Sequence, residues 1–231
     1  MPLVWRLNFV MKTALNDFKS HNGRPIELKK ISGGQNGILI IGGVHGDEVE
    51  GINVCSDLIR KLSNATDSPK IPVSIISCLN PDGAAANQRS NANDVDLNRN
   101  LSTTNWRQDP TNPRYKPGPH AASEPETQHF LEFVSQLKPK LIISVHSFTE
   151  SLLLSPSNDV NAPLKDAVAE MAVALNIPVV DKMNYEIFGS LSRWGFENDI
   201  MVLTIELLRN APDSAQETRF ADEILKLTLK L

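Results

Sequence analysis

The chain has 231 residues, enough for one large domain that buries a substantial core without disulfide or metal staples. Its composition, 41% hydrophobic and 22% charged with a formal net charge of −4, is that of an ordinary soluble globule. The basic pieces "ELKK" and "LIRKL" are short and read as solvated faces, so neither nucleic acid nor an anionic membrane is an expected partner.

In chain order, "MPLVWRLNFVMKTALNDF" comes first. Its apolar positions are interrupted by Arg6, Asn8 and Lys12, and no small-residue cleavage pattern follows, so it does not read as a secretion signal. No stretch approaches the roughly 20 apolar residues that span a bilayer. The expectation is a cytoplasmic protein in which residues 1–22 form an N-terminal extension, with a start at Met11 as an alternative. Strands are expected over "PIELKKIS" (Pro25 to Ser32) and "GILIIGG", then a helix from Glu48 to Leu62 with Ile52, Cys55, Ile59 and Leu62 along one stripe. "IPVSIISCLN" is the next strand. Cys55 and Cys78 lie inside these apolar segments and read as buried thiols rather than a disulfide framework. From Pro81 to Ala122 periodicity is lost in favour of Asn, Asp, Pro and Gly. A loop of that length in a compact domain points to function. "SEPETQHFLEFVSQL" restores a helix, with Ser123 as its cap and Pro125 in its first turn. "KLIISVHS" and "IMVLTIEL" are strong strands and "SLLLS" and "IPVV" weaker ones, with helices over Ala162 to Leu175 and Ser214 to Leu231. The central runs are continuously apolar, as in strands covered on both faces. Strands alternating with helices predict a single α/β domain with a central mixed, mostly parallel sheet flanked by helices.

The first chemical feature is "IIGGVHGDEVEG". It ends a strand and opens a helix, and in open α/β sheets that end is where ligands bind. The spacing of His45 and Glu48 places both on one face of a first helical turn, able to reach a common point. A catalytic zinc takes three protein ligands and a water, and such a pair supplies two of them. The same pair could instead serve only as strand and helix-end caps. His146 ends the apolar strand "LIISVHSF", and Glu206 is the one carboxylate in "IMVLTIEL". A buried carboxylate without a partner costs several kcal/mol, so Glu206 calls for a cation, a metal or a proton. One shared site explains all three strand ends.

"GGVHGDE", "NPDG", "DLNRN", "SVHS" and "TIEL" occur here in the order found in the zinc carboxypeptidases, and "RSNANDVDLNRN", "NW" and "SEPET" resemble their bacterial murein peptide amidase branch. The similarity runs from about Gly23 to beyond Glu206. It implies the carboxypeptidase-like fold and one Zn²⁺ held by His45, Glu48 and His146. By the same resemblance, Glu206 is the general base, Arg89 stabilises the oxyanion, and Asn98 with Arg99 holds the substrate carboxylate. Tyr185 stands where the family keeps a mobile tyrosine. The implied substrate is a murein tripeptide or a related anionic peptide, cut between γ-D-glutamate and meso-diaminopimelate during recycling of wall fragments. Zinc at +2 against Glu48 and Glu206, with two arginines added, leaves the pocket positive. Oligomeric state is open, a homodimer included.

Other polar residues take bland readings. Asp47, Glu50, Glu124 and Glu126 are expected at helix starts, and Asp82 and Asp96 in turns, with support of a ligand as the minor option. His21, His120 and His129 lack a partner pattern, and nothing in the sequence brings Arg193 to the pocket. Two departures from the amidase branch, "SF" after His146 and "LLRN" after Glu206, bear on the pocket rim. They leave room for another zinc carboxypeptidase. An N-acyl amino-acid deacylase similar to succinylglutamate desuccinylase or aspartoacylase, which share the HxxE and DLNR elements, is a second alternative, and a zinc-bound peptide-binding module without turnover is a third.

Overall fold

The computed structural model describes residues 17–65, 67–110, 112–155, 162–183, 187–211 and 215–231. Among these, seven strands form one sheet: β1 (Leu28–Ser32), β2 (Ile38–Ile41), β3 (Val73–Ile76), β4 (Leu141–Phe148), β5 (Leu152–Leu154), β6 (Val179–Val180) and β7 (Met201–Leu208). Their order is β1-β3-β2-β4-β7-β5-β6. The four central strands pair in parallel, while β1 joins β3 and β5 joins β7 antiparallel. The mixed, mostly parallel sheet is therefore as expected, and each strand predicted from an apolar run is present.

Helices cover both faces. α1 (Val49–Asn64), α4 (Ala162–Leu175) and α6 (Gln216–Lys230) lie on one side, where Ile38, Ile40, Ile143, Leu203 and Ile205 meet Val54, Leu58, Met171 and Ile224. α3 (Pro125–Leu137) and α5 (Leu191–Glu197) lie on the other, with Leu39, Ile41, Ile142 and Val202 against Phe130, Phe133 and Trp194. Alternate strand residues thus feed opposite cores, which is why the runs are apolar without a break. Full burial of each such side chain contributes about 1.5–3 kcal/mol. Phe18 is buried in the second core, edge-on to Phe133 at 4.4 Å between ring centres.

Three local differences from the sequence reading have simple causes. The helix expected from Ser123 begins at Pro125, because Ser123 Oγ is spent on the Glu124 carboxylate at 2.6 Å and caps no N–H. α2 (Pro81–Ala86) interrupts the expected loop; Asn80 caps it by accepting from the Gly83 N–H at 2.9 Å, with Pro81 in the first turn. α5, for which the sequence reading has no counterpart, is capped by Ser190. Among the described residues no helix is long and apolar enough to cross a membrane.

Candidate active site

The C-terminal ends of β2, β4 and β7 gather the chemistry. β2 leads to β3 on one side of itself, and the chain then crosses to β4 on the other, which opens a crevice at that end of the sheet. Gly43 turns the chain there with φ +59, and a Cβ on it would stand 2.8 Å from Ile52. His45 follows, and Glu48 occupies the N-cap position of α1. The pair therefore lies in the connection, not on the first helical turn that the spacing suggests. The Glu48 N–H donates to the His45 carbonyl at 3.3 Å and closes that loop. A side chain at Gly51 would put its Cβ 2.5 Å from the Val145 carbonyl oxygen, so glycine lets the start of α1 press against β4 beside His146. His146 and Glu206 are direct register partners on β4 and β7. They share the face on which Ser144 and Thr204 also lie, where the strands turn from apolar to polar.

His45 Nδ1 lies 2.8 Å from Glu48 Oε1, and His146 Nδ1 lies 2.8 Å from Glu48 Oε2. The two Nδ1 atoms are 3.3 Å apart. Relative exposures of 3%, 4% and 3% for His45, Glu48 and His146 remove solvent as a competing partner. The outer nitrogens are engaged elsewhere, His45 Nε2 with Asp96 Oδ1 at 3.1 Å and His146 Nε2 with Ser144 Oγ at 2.8 Å. Two imidazoles thus turn their Nδ1 atoms towards one buried carboxylate, and one donor atom from each residue falls within 4.8 Å of the others. That buried His₂Glu set, backed by hydrogen-bonded partners, fits a divalent zinc.

Asp96 and Arg89 extend the cluster. Burial opposes the charge on Asp96, but His45 and Arg89 beside it hold its carboxyl far below the usual range. Arg89 donates Nε to Asp96 at 2.9 Å and NH1 to Glu48 at 3.3 Å. Burial likewise opposes charge on His45 and Glu48. The Glu48 and Asp96 carboxylates nonetheless raise the His45 pKa, and the two histidines lower that of Glu48 well below the ordinary value. Glu206 behaves differently: burial pushes its carboxyl up to about 7, with Glu48 adding to the rise and His146, Arg89 and Arg209 opposing it. A carboxyl near neutrality is suited to taking and returning a proton.

A cavity of about 600 Å³ opens over these groups. His45, Glu48, Arg89, Asn98, Arg99, His146 and Glu206 all line it, so the structure brings together every predicted site residue that it describes. Tyr185 lies outside the described residues. Asn98 and Arg99 belong to a short 3-10 turn, Leu97–Arg99; Asn98 Oδ1 accepts from the Leu191 N–H at 2.8 Å, tying that turn to the start of α5. His21, His120, His129 and Arg193 do not line the cavity, and Arg193 is held by Glu197 at 2.5 Å.

Several residues at the site go beyond those predicted for it, although support of a ligand by Asp96 is the minor option of the sequence reading. Asp96 backs His45. Arg209 donates to Glu48 at 3.0 Å and to Asp47 at 2.9 Å, and Arg114 and Tyr115 also form the wall. Glu50 accepts from Ser147 Oγ at 2.8 Å and from the Asn210 N–H at 2.8 Å, steadying the loop that follows β7. Glu124 and Glu126 are buried and grip the "NAN" asparagines rather than simply opening a helix. Asn91 Nδ2 donates to Glu124 at 2.8 Å and to Glu126 at 3.0 Å, and Asn93 donates to Glu124 at 2.7 Å. The available signal was several carboxylates and amides close together in one aperiodic region.

Comparison with known proteins agrees with this geometry. The zinc carboxypeptidase family model matches residues 13–211. Murein peptide amidase A of Escherichia coli K12 is 29% identical over 191 residues, covering 78% of this chain and 74% of the relative. The enzyme of the same name from Vibrio campbellii is 30% identical over 181 residues, covering 73% and 68%. The crystal structure of murein-tripeptide amidase MpaA from Escherichia coli O157 superposes with a TM-score of 0.77 at 26% identity, covering 93% of this chain and 90% of the other. Carboxypeptidase A from Helicoverpa armigera shares the fold, with a TM-score of 0.74 at 21% identity over 94% and 67% of the two chains. With the ligand set, the cleft and the fold in agreement, the chain belongs to the zinc carboxypeptidase family, hydrolases that act on peptide bonds.

Proposed function

We propose that this cleft is a zinc-dependent amidase that cuts murein peptides between γ-D-glutamate and meso-diaminopimelate. The observation that carries the reading is the convergence of His45 Nδ1, His146 Nδ1 and the Glu48 carboxylate at the floor of an arginine-lined cavity. Relatives bearing the murein peptide amidase name support the choice of bond. His45, Glu48 and His146 hold the zinc, whose chemistry is to polarise the scissile carbonyl and acidify the attacking water.

The chain's own residues supply the rest. Glu206 receives the proton of the attacking water and passes it to the departing amine of diaminopimelate, general base and then general acid. Arg89 is locked by Asp96 and Glu48 through Nε and NH1, while its other amino group makes no hydrogen bond among the described residues. That group donates to the oxygen on which negative charge develops. Asn98 and Arg99 bind the carboxylate of the leaving half, and the planar guanidinium suits a bidentate grip. Asp96, by holding both His45 and Arg89, ties the metal site to the oxyanion site.

An N-acyl amino-acid deacylase is the competing reading, because an arginine-rich cavity would also hold a small dicarboxylic substrate. Zinc-loaded protein offered L-Ala-γ-D-Glu-meso-diaminopimelate, N-succinylglutamate and N-acetylaspartate separates the two. The amidase reading expects kcat/KM for the tripeptide to exceed both others by orders of magnitude. Release of succinate or acetate at a comparable rate would replace it with the deacylase.

A further inference from the structure

The cavity holds its arginines in two pairs. Arg89 and Arg99 stand 5.1 and 4.8 Å from the centre of the Tyr115 ring. Arg114 and Arg209 instead converge on one oxygen of Asp47, Oδ2, at 3.8 and 2.9 Å. Both pairs reach the ligand set: Glu48 Oε1 accepts from Arg89 at 3.3 Å and from Arg209 at 3.0 Å. Arg89 comes from the Asp96 side, and Arg209 comes from the Ser147 side, where it also donates to the Ser147 carbonyl at 3.3 Å. Hydrolysis accounts for the first pair. It leaves Arg114 without a task, and Arg209 with only its grip on Asp47, Glu48 and the Ser147 carbonyl.

Asp47 Oδ2 faces both arginines and Glu48 gives Arg209 a second carboxylate, so Arg114 is the one held by a single, longer contact. Arg209 Nε is buried and has no hydrogen-bond partner among the described residues. The Arg114 side chain is 54% exposed at the cavity wall, with Asp47 its ion-pair partner there. An exposed guanidinium held only at 3.8 Å, with a second arginine beside it at the edge of the ligand set, suits a second anion.

We propose that Arg114 and Arg209 form a second anion subsite, which takes a carboxylate carried by the acyl half of the substrate while Asn98 and Arg99 hold that of the amine half. The proposal rests on the amidase reading for the direction in which the peptide lies. It makes the substrate class peptides with a free carboxylate on each side of the scissile amide. Peptides whose acyl residue is neutral are poor substrates. Arg209 has a further task, because it also grips Glu48, so Arg114 is the cleaner residue to change.

The test compares acid and amide partners of two peptides with zinc-loaded wild-type protein and Arg114→Gln. One pair is L-Ala-γ-D-Glu-meso-diaminopimelate and its D-isoglutamine counterpart. The other is acetyl-Glu-Ala and acetyl-Gln-Ala, in which the same number of carbons separates the scissile carbonyl from the second carboxylate. Wild type is expected to favour each acid by about 10- to 100-fold in kcat/KM, as a charge-assisted contact implies. Arg114→Gln, with zinc content equal to wild type, lowers that preference about tenfold through KM. Equal rates for acid and amide would overturn the subsite and leave the amidase standing. A preference that Arg114→Gln leaves unchanged would overturn the assignment of Arg114. An acid preference confined to the acetyl pair, with both murein peptides intact, would sink the amidase reading and keep the subsite; no cleavage in either pair would overturn both.

Discussion

Asp96 has no exposure to solvent, yet His45 and Arg89 both lean on it, and one of its oxygens also accepts the Asn98 N–H at 2.9 Å. A carboxylate there would fix which imidazole nitrogen is left for a metal and raise its basicity as a ligand. Asp96→Asn keeps the shape but removes the charge. It is expected to weaken zinc binding about 10- to 100-fold, measured by competition with a chelator. Unchanged affinity would reduce Asp96 to a turn former. The three residues proposed as ligands were legible as a group in the sequence, because a histidine or a glutamate at the end of an apolar strand is costly to bury unless a metal, a charge or a proton meets it. Asp96 was not. Its partner His45 lies 51 residues away, and a side chain that serves a turn in the sequence can serve a ligand only once the chain is folded. Arg209 was overlooked for the same reason, since its partners Asp47 and Glu48 are more than 160 residues upstream.

The aperiodic stretch between α2 and α3 carries Arg89, Asp96, Asn98 and Arg99, and it is held by an inward latch. Asn91 Nδ2 bonds the buried Glu124 and Glu126, while Asn91 Oδ1 accepts the N–H groups of Asn93 and Val95 at 3.0 and 3.1 Å. Asn91→Ala leaves two buried carboxylates short of a donor. The expected loss of stability is about 2–3 kcal/mol in urea unfolding, with kcat/KM falling because the arginines lose their footing. A loss under about 0.5 kcal/mol would show that the latch is not what holds the segment. Element by element, the strands and the long helices were readable because burial on two faces or on one stripe leaves a pattern. α2 and α5 were not, since six and seven residues are too few to show a helical period. α2 nonetheless had a local signal in "NPDG", a capping asparagine followed by proline.

At the scale of the molecule, a chain with a net charge of −4 surrounds its cavity with Arg89, Arg99, Arg114 and Arg209. Overall charge therefore says little about the ligand, and the four arginines are what support the proposal of an acidic one. Strand order, which sets the crevice between β2 and β4, could not be read from the sequence, because parallel pairing leaves the same apolar run whichever neighbour a strand takes. What the sequence did carry was the alternation of elements and an ordered series of polar residues at strand ends. The topology turns that series into one site. The proposed reaction is cleavage of a murein peptide at this site with Glu206 as the base. It is tested most directly by incubating zinc-loaded wild type and Glu206→Gln with L-Ala-γ-D-Glu-meso-diaminopimelate and following the products by mass spectrometry. Wild type is predicted to release diaminopimelate and L-Ala-D-Glu, and Glu206→Gln, with the same zinc content, to do so at least about 100-fold more slowly. An intact tripeptide with zinc-loaded wild type, or equal turnover by Glu206→Gln, would contradict it.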